Sequence, residues 1–201
     1  MLHLMLVRHG ETDWNAQRRY QGQTDIPLSA MGKRQAELIG ERLAGQKIDV
    51  VYASDLKRAW ETAQIIAEKS GLEILSEPRL RELKFGVLEG LTFGEAEASY
   101  PDMIVAWLED FNNTPEGAET IDLFNARIVS LLDDLKRKHG EQIVLLVGHG
   151  GSLSEILRVI LGLSREQRWY LEMENASLSE VLVSEDYVSL KRLNDACHLV
   201  S

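Results

Sequence analysis

A chain of 201 residues is long enough for one domain with a substantial core, burying about 70% of the surface the extended chain would expose, and too short for a second full domain. Its 44% hydrophobic and 27% charged residues, with 15 Gly and 4 Pro, match an ordinary folded protein and exclude collagen and extensive low complexity. With 22 Lys+Arg against 32 Asp+Glu, the formal net charge of -10 disfavours nucleic acid and membrane surfaces as partners, so an anionic ligand requires a local positive pocket.

Apolar residues 4–7 end abruptly in Arg8, His9 and Gly10, as a buried parallel strand does on meeting a polar loop. The opening stretch is too short to span a membrane and lacks the basic region and cleavage site of a signal peptide, so a cytoplasmic protein is expected. Residues 29–43 carry Ala36, Leu38, Ile39 and Leu43 at helical spacing behind Ser29 as N-cap, although Gly32 occupies the position where a capping box needs Glu or Gln. Residues 50–53 predict a second strand. Residues 56–69 predict a helix capped by Ser54 or Asp55 and ending near Gly71, and 73–75 a brief third strand. This β-α-β-α-β order predicts a parallel sheet with crossover helices.

Residues 83–118 break the pattern and predict a cap or lid with two short helices inserted into a single domain over 1–201. Regular order resumes with a helix over 119–139 and an apolar strand over 142–147 that ends in Gly148, His149 and Gly150. A helix over 152–161 follows, then a closing hairpin of strands over 177–183 and 187–193.

In open α/β sheets, ligands bind beyond the carboxyl ends of the strands. Two strands deliver His9 and His149 to that edge beside glycines, with Arg8 adjoining the first and Arg58 in the first turn of the helix after the second strand. Paired guanidinium and imidazole groups near helix N-termini suit phosphate, because guanidinium forks match its oxygens and helix amides add donors. Taken singly, each of these residues has a structural explanation. His3 reads as a satisfied or exposed imidazole, His139 as a partner of a helix C-terminus, and Cys197 with His198 as tail neighbours pointing to opposite sides. With one cysteine there is no intrachain disulfide and no cysteine zinc cluster, which is compatible with a reducing compartment. Pro27 occupies the first P-loop glycine position, Leu153 breaks the dinucleotide fingerprint, and no serine-hydrolase elbow surrounds Ser152.

The run Leu6-Val7-Arg8-His9-Gly10-Glu11-Thr12-Asp13-Trp14-Asn15 resembles the histidine phosphatase superfamily, the phosphoglycerate mutase-like proteins. The likeness continues in order through Asp25-Ile26-Pro27-Leu28-Ser29, Ala53-Ser54-Asp55-Leu56-Lys57-Arg58-Ala59, Arg81-Glu82-Leu83 and Val147-Gly148-His149-Gly150-Gly151. The resemblance implies a three-layer α/β/α fold around a mixed, mostly parallel six-stranded sheet with one antiparallel strand. It implies His9 as the nucleophile that becomes phosphorylated, Arg8, Arg58 and His149 around the phosphate, and Glu82 as the acid and later the base. Asn15, Gln21, Gly22 and Gly150 are the expected substrate contacts, with Thr120, which opens the long helix together with Glu119, reaching the site from its N-terminal end. No metal and no cofactor are implied, since a phosphohistidine divides one hard hydrolysis into two displacements stabilised by fixed donors.

The run Phe85-Gly86-Val87-Leu88-Glu89-Gly90 resembles the phosphatase branch, so a phosphomonoester hydrolase acting on a small phosphorylated metabolite is the expected function. The ending Leu193-Asn194-Asp195-Ala196-Cys197-His198-Leu199 further resembles the α-ribazole phosphatases of cobalamin biosynthesis. Phosphoglycerate mutase-type transfer and a non-catalytic phospho-ligand binding module are the alternatives, and monomer and homodimer both stay open. Phe85, Trp107 and Phe111 are expected to pack the cap rather than line the pocket.

Overall fold

The structure, a computed structural model, describes residues 1–200, without the side chains of residues 168 and 169. Six strands, β1 (Leu2–Arg8), β2 (Val50–Ala53), β3 (Ile74–Ser76), β4 (Ile143–Gly148), β5 (Leu178–Val183) and β6 (Val188–Asp195), form one sheet in the order β3-β2-β4-β1-β5-β6. Only β5 runs against the others, pairing antiparallel with β1 on one side and β6 on the other. The expected mixed sheet with one reversed strand and a closing hairpin is therefore present.

Side chains alternate across the strands, so one apolar sequence builds two cores. Leu4, Leu6, Val144 and Leu146 face α6 (Ile121–His139) and α7 (Gly150–Ile160), packing on Ile128, Leu132, Leu153 and Leu157. Met5, Val7, Leu145 and Val147 face the other way, toward Ile39 and Leu43 of α2 (Ala30–Leu43) and Ala63 and Ile66 of α3 (Lys57–Ser70). Covered on both faces, β1 and β4 lie side by side in parallel register, with Val7 opposite Val147 and Arg8 opposite Gly148. Their carboxyl ends therefore release His9 and His149 at the same level of one sheet edge. β2 flanks β4 with Ala53 opposite Val147 and brings the start of α3 to that edge.

Several local expectations are corrected. The polar loop after β1 contains a four-residue helix, α1 (Asp13–Ala16), closed by a capping box between Thr12 and Asn15. Neither Ser54 nor Asp55 caps α3: Leu56 is its N-cap residue, and Asp25 accepts a hydrogen bond from the Lys57 amide at 2.7 Å. Asp55 instead pairs with Arg81. Helix α6 starts at Ile121 with Thr120 as its N-cap, and α7 starts at Gly150, two residues earlier than glycine's low helix propensity suggests. Within 83–118 lie α4 (Phe93–Ser99) and α5 (Pro101–Glu109), packed through Leu88, Ala96, Ile104 and Trp107. No helix among the described residues is long and apolar enough to cross a membrane.

Gly32 explains its own misfit with the capping box. Ser29 Oγ accepts the Gly32 amide at 3.0 Å, while a Cβ on Gly32 would run into the Glu11 carbonyl oxygen and one on Gly10 into the Gly32 carbonyl oxygen. Helix α2 thus presses backbone to backbone against the loop carrying His9. Alanine favours a helix interior over glycine by about 1 kcal/mol, yet Gly32→Ala is expected to lower the melting temperature. An unchanged or higher value in thermal unfolding would contradict this contact.

Candidate active site

His9 is buried at 3% exposure, its amide donating to Gly148 O at 2.9 Å. Nδ1 lies 2.7 Å from the Gly10 carbonyl, which can only accept, so Nδ1 carries a proton and in the neutral ring the lone pair sits on Nε2. The His9 carbonyl is held by the Asn175 side chain and the Ala176 amide, from the loop leading into β5. His149 meets His9 edge-on with 5.0 Å between ring centroids. Arg58 Nε donates to His149 Nδ1 at 3.1 Å, which makes Nε2 the protonated nitrogen and Ser54 Oγ its acceptor at 2.9 Å. The hydrogen bond from Arg58 requires a neutral His149, while His9 is kept neutral by its burial and the flanking guanidinium groups.

The cations around them are held by neutral groups. Arg58 is fully buried and donates to Thr24 O at 2.9 Å and Gly22 O at 2.7 Å. Arg8 donates to Met173 O at 2.5 Å, and its Nε is buried with no hydrogen-bond partner among the described residues. Burial pulls the Arg58 guanidinium down to about 10, still charged at neutral pH, and lowers Arg8 against the opposing pull of Glu82 and Glu174. Both histidines lie well below the usual imidazole range, through burial first and then the charges of Arg58 and Arg8.

Arg8, His9, Asn15, Gln21, Gly22, Arg58 and Glu82 line a cleft of about 160 Å³ together with Arg19, Tyr20 and Phe85. Asn15 Oδ1 accepts from the Thr12 amide and hydroxyl at 3.1 and 3.0 Å, which turns its NH2 away as a spare donor. The left-handed turn at Gly22 presses against Glu89, whose carboxylate binds the Gln23 and Thr24 amides and so fixes the carbonyls that hold Arg58. Glu82 lines the same cleft as His9, its carboxylate accepting the Leu83 amide at 2.8 Å and the Gly151 amide of α7 at 2.9 Å. Gly150 adjoins the Arg8 guanidinium, where a Cβ would make ordinary contact at 3.6 Å.

Thr120 is not brought to the cleft: it is exposed and its hydroxyl accepts the Leu123 amide. Trp107 and Phe111 pack within the 83–118 segment as expected, whereas Phe85 packs on Tyr20 and Trp107 and also lines the cleft. Arg19 and Tyr20 line the cleft from the loop that follows β1, and Ser54, expected from the sequence only as a helix cap, is instead the partner of His149. The other histidines have structural partners: His3 meets Glu180, His139 meets Tyr52 and Gln142, and His198 meets Arg42 and Ala176. Among the described residues no three His, Cys, Asp or Glu side chains gather as metal ligands. A wider depression of about 550 Å³, lined by Met1, Asp133, Lys136 and Glu185 among others, contains no comparable constellation.

A sequence model of the histidine phosphatase superfamily (branch 1) matches residues 4–196. The chain belongs to the histidine phosphatase superfamily. Phosphoserine phosphatase 1 of Hydrogenobacter thermophilus is 34% identical over 200 residues, covering 99% of this chain and 95% of its own. The protein named "Probable phosphoglycerate mutase GpmB" of Yersinia enterocolitica is 40% identical over 186 residues, 90% of this chain and 85% of its own. The crystal structure of the α-ribazole phosphatase from Shigella flexneri superposes with a TM-score of 0.90 at 28% identity, over 96% of each chain. The family expected from the motifs holds, and with it the expected class of enzyme: the chain is a phosphatase.

The buried histidines link stability to pH. Neutral in the folded chain, they take up protons in the unfolded chain below the ordinary value of 6.5, so their contribution is full above that pH and is lost as the pH falls. The melting temperature is expected to fall between about pH 6.5 and about pH 5, and to fall less steeply in a His9→Gln/His149→Gln variant. Equal slopes in the two proteins would contradict the neutral assignment.

Proposed function

We propose that the chain is a metal-independent phosphomonoester hydrolase working through a phosphohistidine at His9. The observation that carries this reading is the His9 tautomer, with Nδ1–H tied to Gly10 O and the Nε2 lone pair left for attack in a cleft with two guanidinium groups. In the first step Nε2 bonds to phosphorus, the ester P–O bond breaks, and Glu82 gives its proton to the departing alcohol oxygen. In the second, Glu82 takes a proton from water as its oxygen attacks phosphorus, the P–N bond breaks, and inorganic phosphate leaves.

Arg8, Arg58, His149 and Asn15 supply donors to the phosphoryl oxygens, with Gln21, Gly22 and Gly150 shaping the same pocket. The buried, unpartnered Arg8 Nε supports that role, since such a donor is costly unless an acceptor arrives. Residues 83–118 act as a cap of this single domain, with Phe85 and Tyr20 guiding the leaving group to the cleft mouth.

The substrate is a small phosphorylated metabolite. Likeness to the Shigella enzyme and the ending 193–199 support α-ribazole 5′-phosphate, while the Hydrogenobacter relative supports phosphoserine. The Yersinia relative favours a second reading, return of the phosphoryl group to an acceptor; the open mouth of the cleft favours water.

A screen of phosphomonoesters including these two and 3-phosphoglycerate, scoring phosphate release against transfer, is expected to give release. Exclusive transfer would overturn the hydrolase reading. His9→Ala is expected to lose at least about 10³-fold in kcat/KM on an aryl phosphate, and an active His9→Ala enzyme would sink the nucleophile assignment. Dialysis against EDTA is expected to leave kcat unchanged, and a loss restored by a divalent ion would contradict metal independence.

A further inference from the structure

Arg127, on the second turn of α6, has its guanidinium entirely engaged. Nε and Nη2 bind the two Glu119 carboxylate oxygens at 2.8 and 2.9 Å, Nη1 binds Arg79 O at 2.6 Å and Arg81 O at 2.7 Å, and Nη2 binds Glu82 O at 3.0 Å. Those are the five N–H donors a guanidinium owns. Arg127 and Glu119 are 16% and 15% exposed, and the guanidinium stands 4.6 Å over the Phe124 ring. With no donor left, Arg127 does not bind phosphate. All three of its carbonyl partners belong to the segment that delivers Glu82.

That segment consists of the 3₁₀ turn Pro78–Leu80 and the residues just after it, and it joins no strand, so its inward carbonyls have no ladder partners. Gln23 is the other side chain on Glu82 O, at 3.1 Å. The Glu82 carboxylate is gripped from the opposite side by the Gly151 amide. One rigid helix thus fixes the Glu82 backbone and another fixes its carboxylate.

We infer that Arg127, held in place by Glu119, is a positioning residue for proton transfer by Glu82: it sets where the carboxyl stands relative to the leaving-group oxygen. The inference rests on the proposed role of Glu82 as proton donor. A general acid acts only within hydrogen-bond reach, and a misplacement of about 1 Å can cost about 10²-fold in rate. The cost depends on the substrate, because an alkoxide leaves only with a proton while a dinitrophenolate leaves without one. A merely structural residue would slow both.

The test compares kcat/KM for glycerol phosphate and dinitrophenyl phosphate in the wild type and in Glu82→Gln, Arg127→Met, Arg127→Lys and Glu119→Gln. The ratio kcat/KM reports the transfer to His9 and excludes the later hydrolysis, in which Glu82 acts on both substrates. Arg127→Met is expected to lose about 10²-fold on glycerol phosphate and less than about threefold on dinitrophenyl phosphate, with Arg127→Lys intermediate. Glu119→Gln, which keeps the guanidinium, is expected to show the same selectivity with a smaller loss, and it carries the comparison if Arg127→Met lacks a cooperative thermal transition. Equal losses on both substrates, or none, would overturn the inference. If Glu82→Gln is selective and the Arg127 and Glu119 variants are not, the inference alone falls. If Glu82→Gln is itself unselective, the proton-donor role falls and the inference with it.

Discussion

Two guanidinium groups held inside the protein by neutral partners are the constraint on which the site depends. Removing a charge from water is costly, and proteins usually offset the cost with a carboxylate. Arg58 is instead satisfied by two carbonyls and an imidazole, and Arg8 by one carbonyl, with no described carboxylate at ion-pair distance from either. A paired carboxylate would cancel the positive potential that a phosphoryl group requires. The same unpaired charge, added to burial, keeps His9 and His149 neutral and so keeps the nucleophile competent at neutral pH.

Backbone geometry makes this arrangement possible. Arginine can be held by carbonyls only where the chain turns several of them inward, and the 22–24 loop does so through the left-handed Gly22 and the Glu89 carboxylate beneath it. The 173–176 loop gives Arg8 a single carbonyl, Met173 O, while its Asn175 and Ala176 grip the His9 carbonyl. Carboxylates are therefore present around the site but spent on amides and on remote cations: Glu89 on Gln23 and Thr24, Glu119 on Arg127, Asp55 on Arg81. In a chain of formal charge -10, neither guanidinium is ion-paired among the described residues, although Glu82 lines the same cleft.

What could be read from the residues divides along physical lines. The strands ending in Arg8-His9-Gly10 and Gly148-His149-Gly150 were legible because a doubly covered strand is a continuous apolar run and its end is an abrupt change of polarity. Helix α2 was legible from Ser29 and its 3.6 spacing, down to the odd Gly32, whose reason is a backbone contact that no local pattern encodes. The Asp25 cap of α3, the Ser54 contact with His149 and the Arg127 clamp were illegible, because each joins residues distant in sequence through hydrogen bonds that no local pattern encodes. Thr120 was misread as a site residue because a helix N-terminus near a phosphate motif suggests an anion contact. Its hydroxyl instead caps its own helix. Phe85 serves both packing and the cleft, which aromatic composition cannot separate.

The central claim is that one imidazole near the amino end accepts the phosphoryl group. Rapid quenching of the wild-type protein with a ³²P-labelled phosphomonoester, followed by peptide mapping under alkaline conditions, tests it most directly. The account predicts an acid-labile label on the peptide containing His9, formed and discharged at rates that support turnover. Normal turnover with no label on that histidine would contradict it.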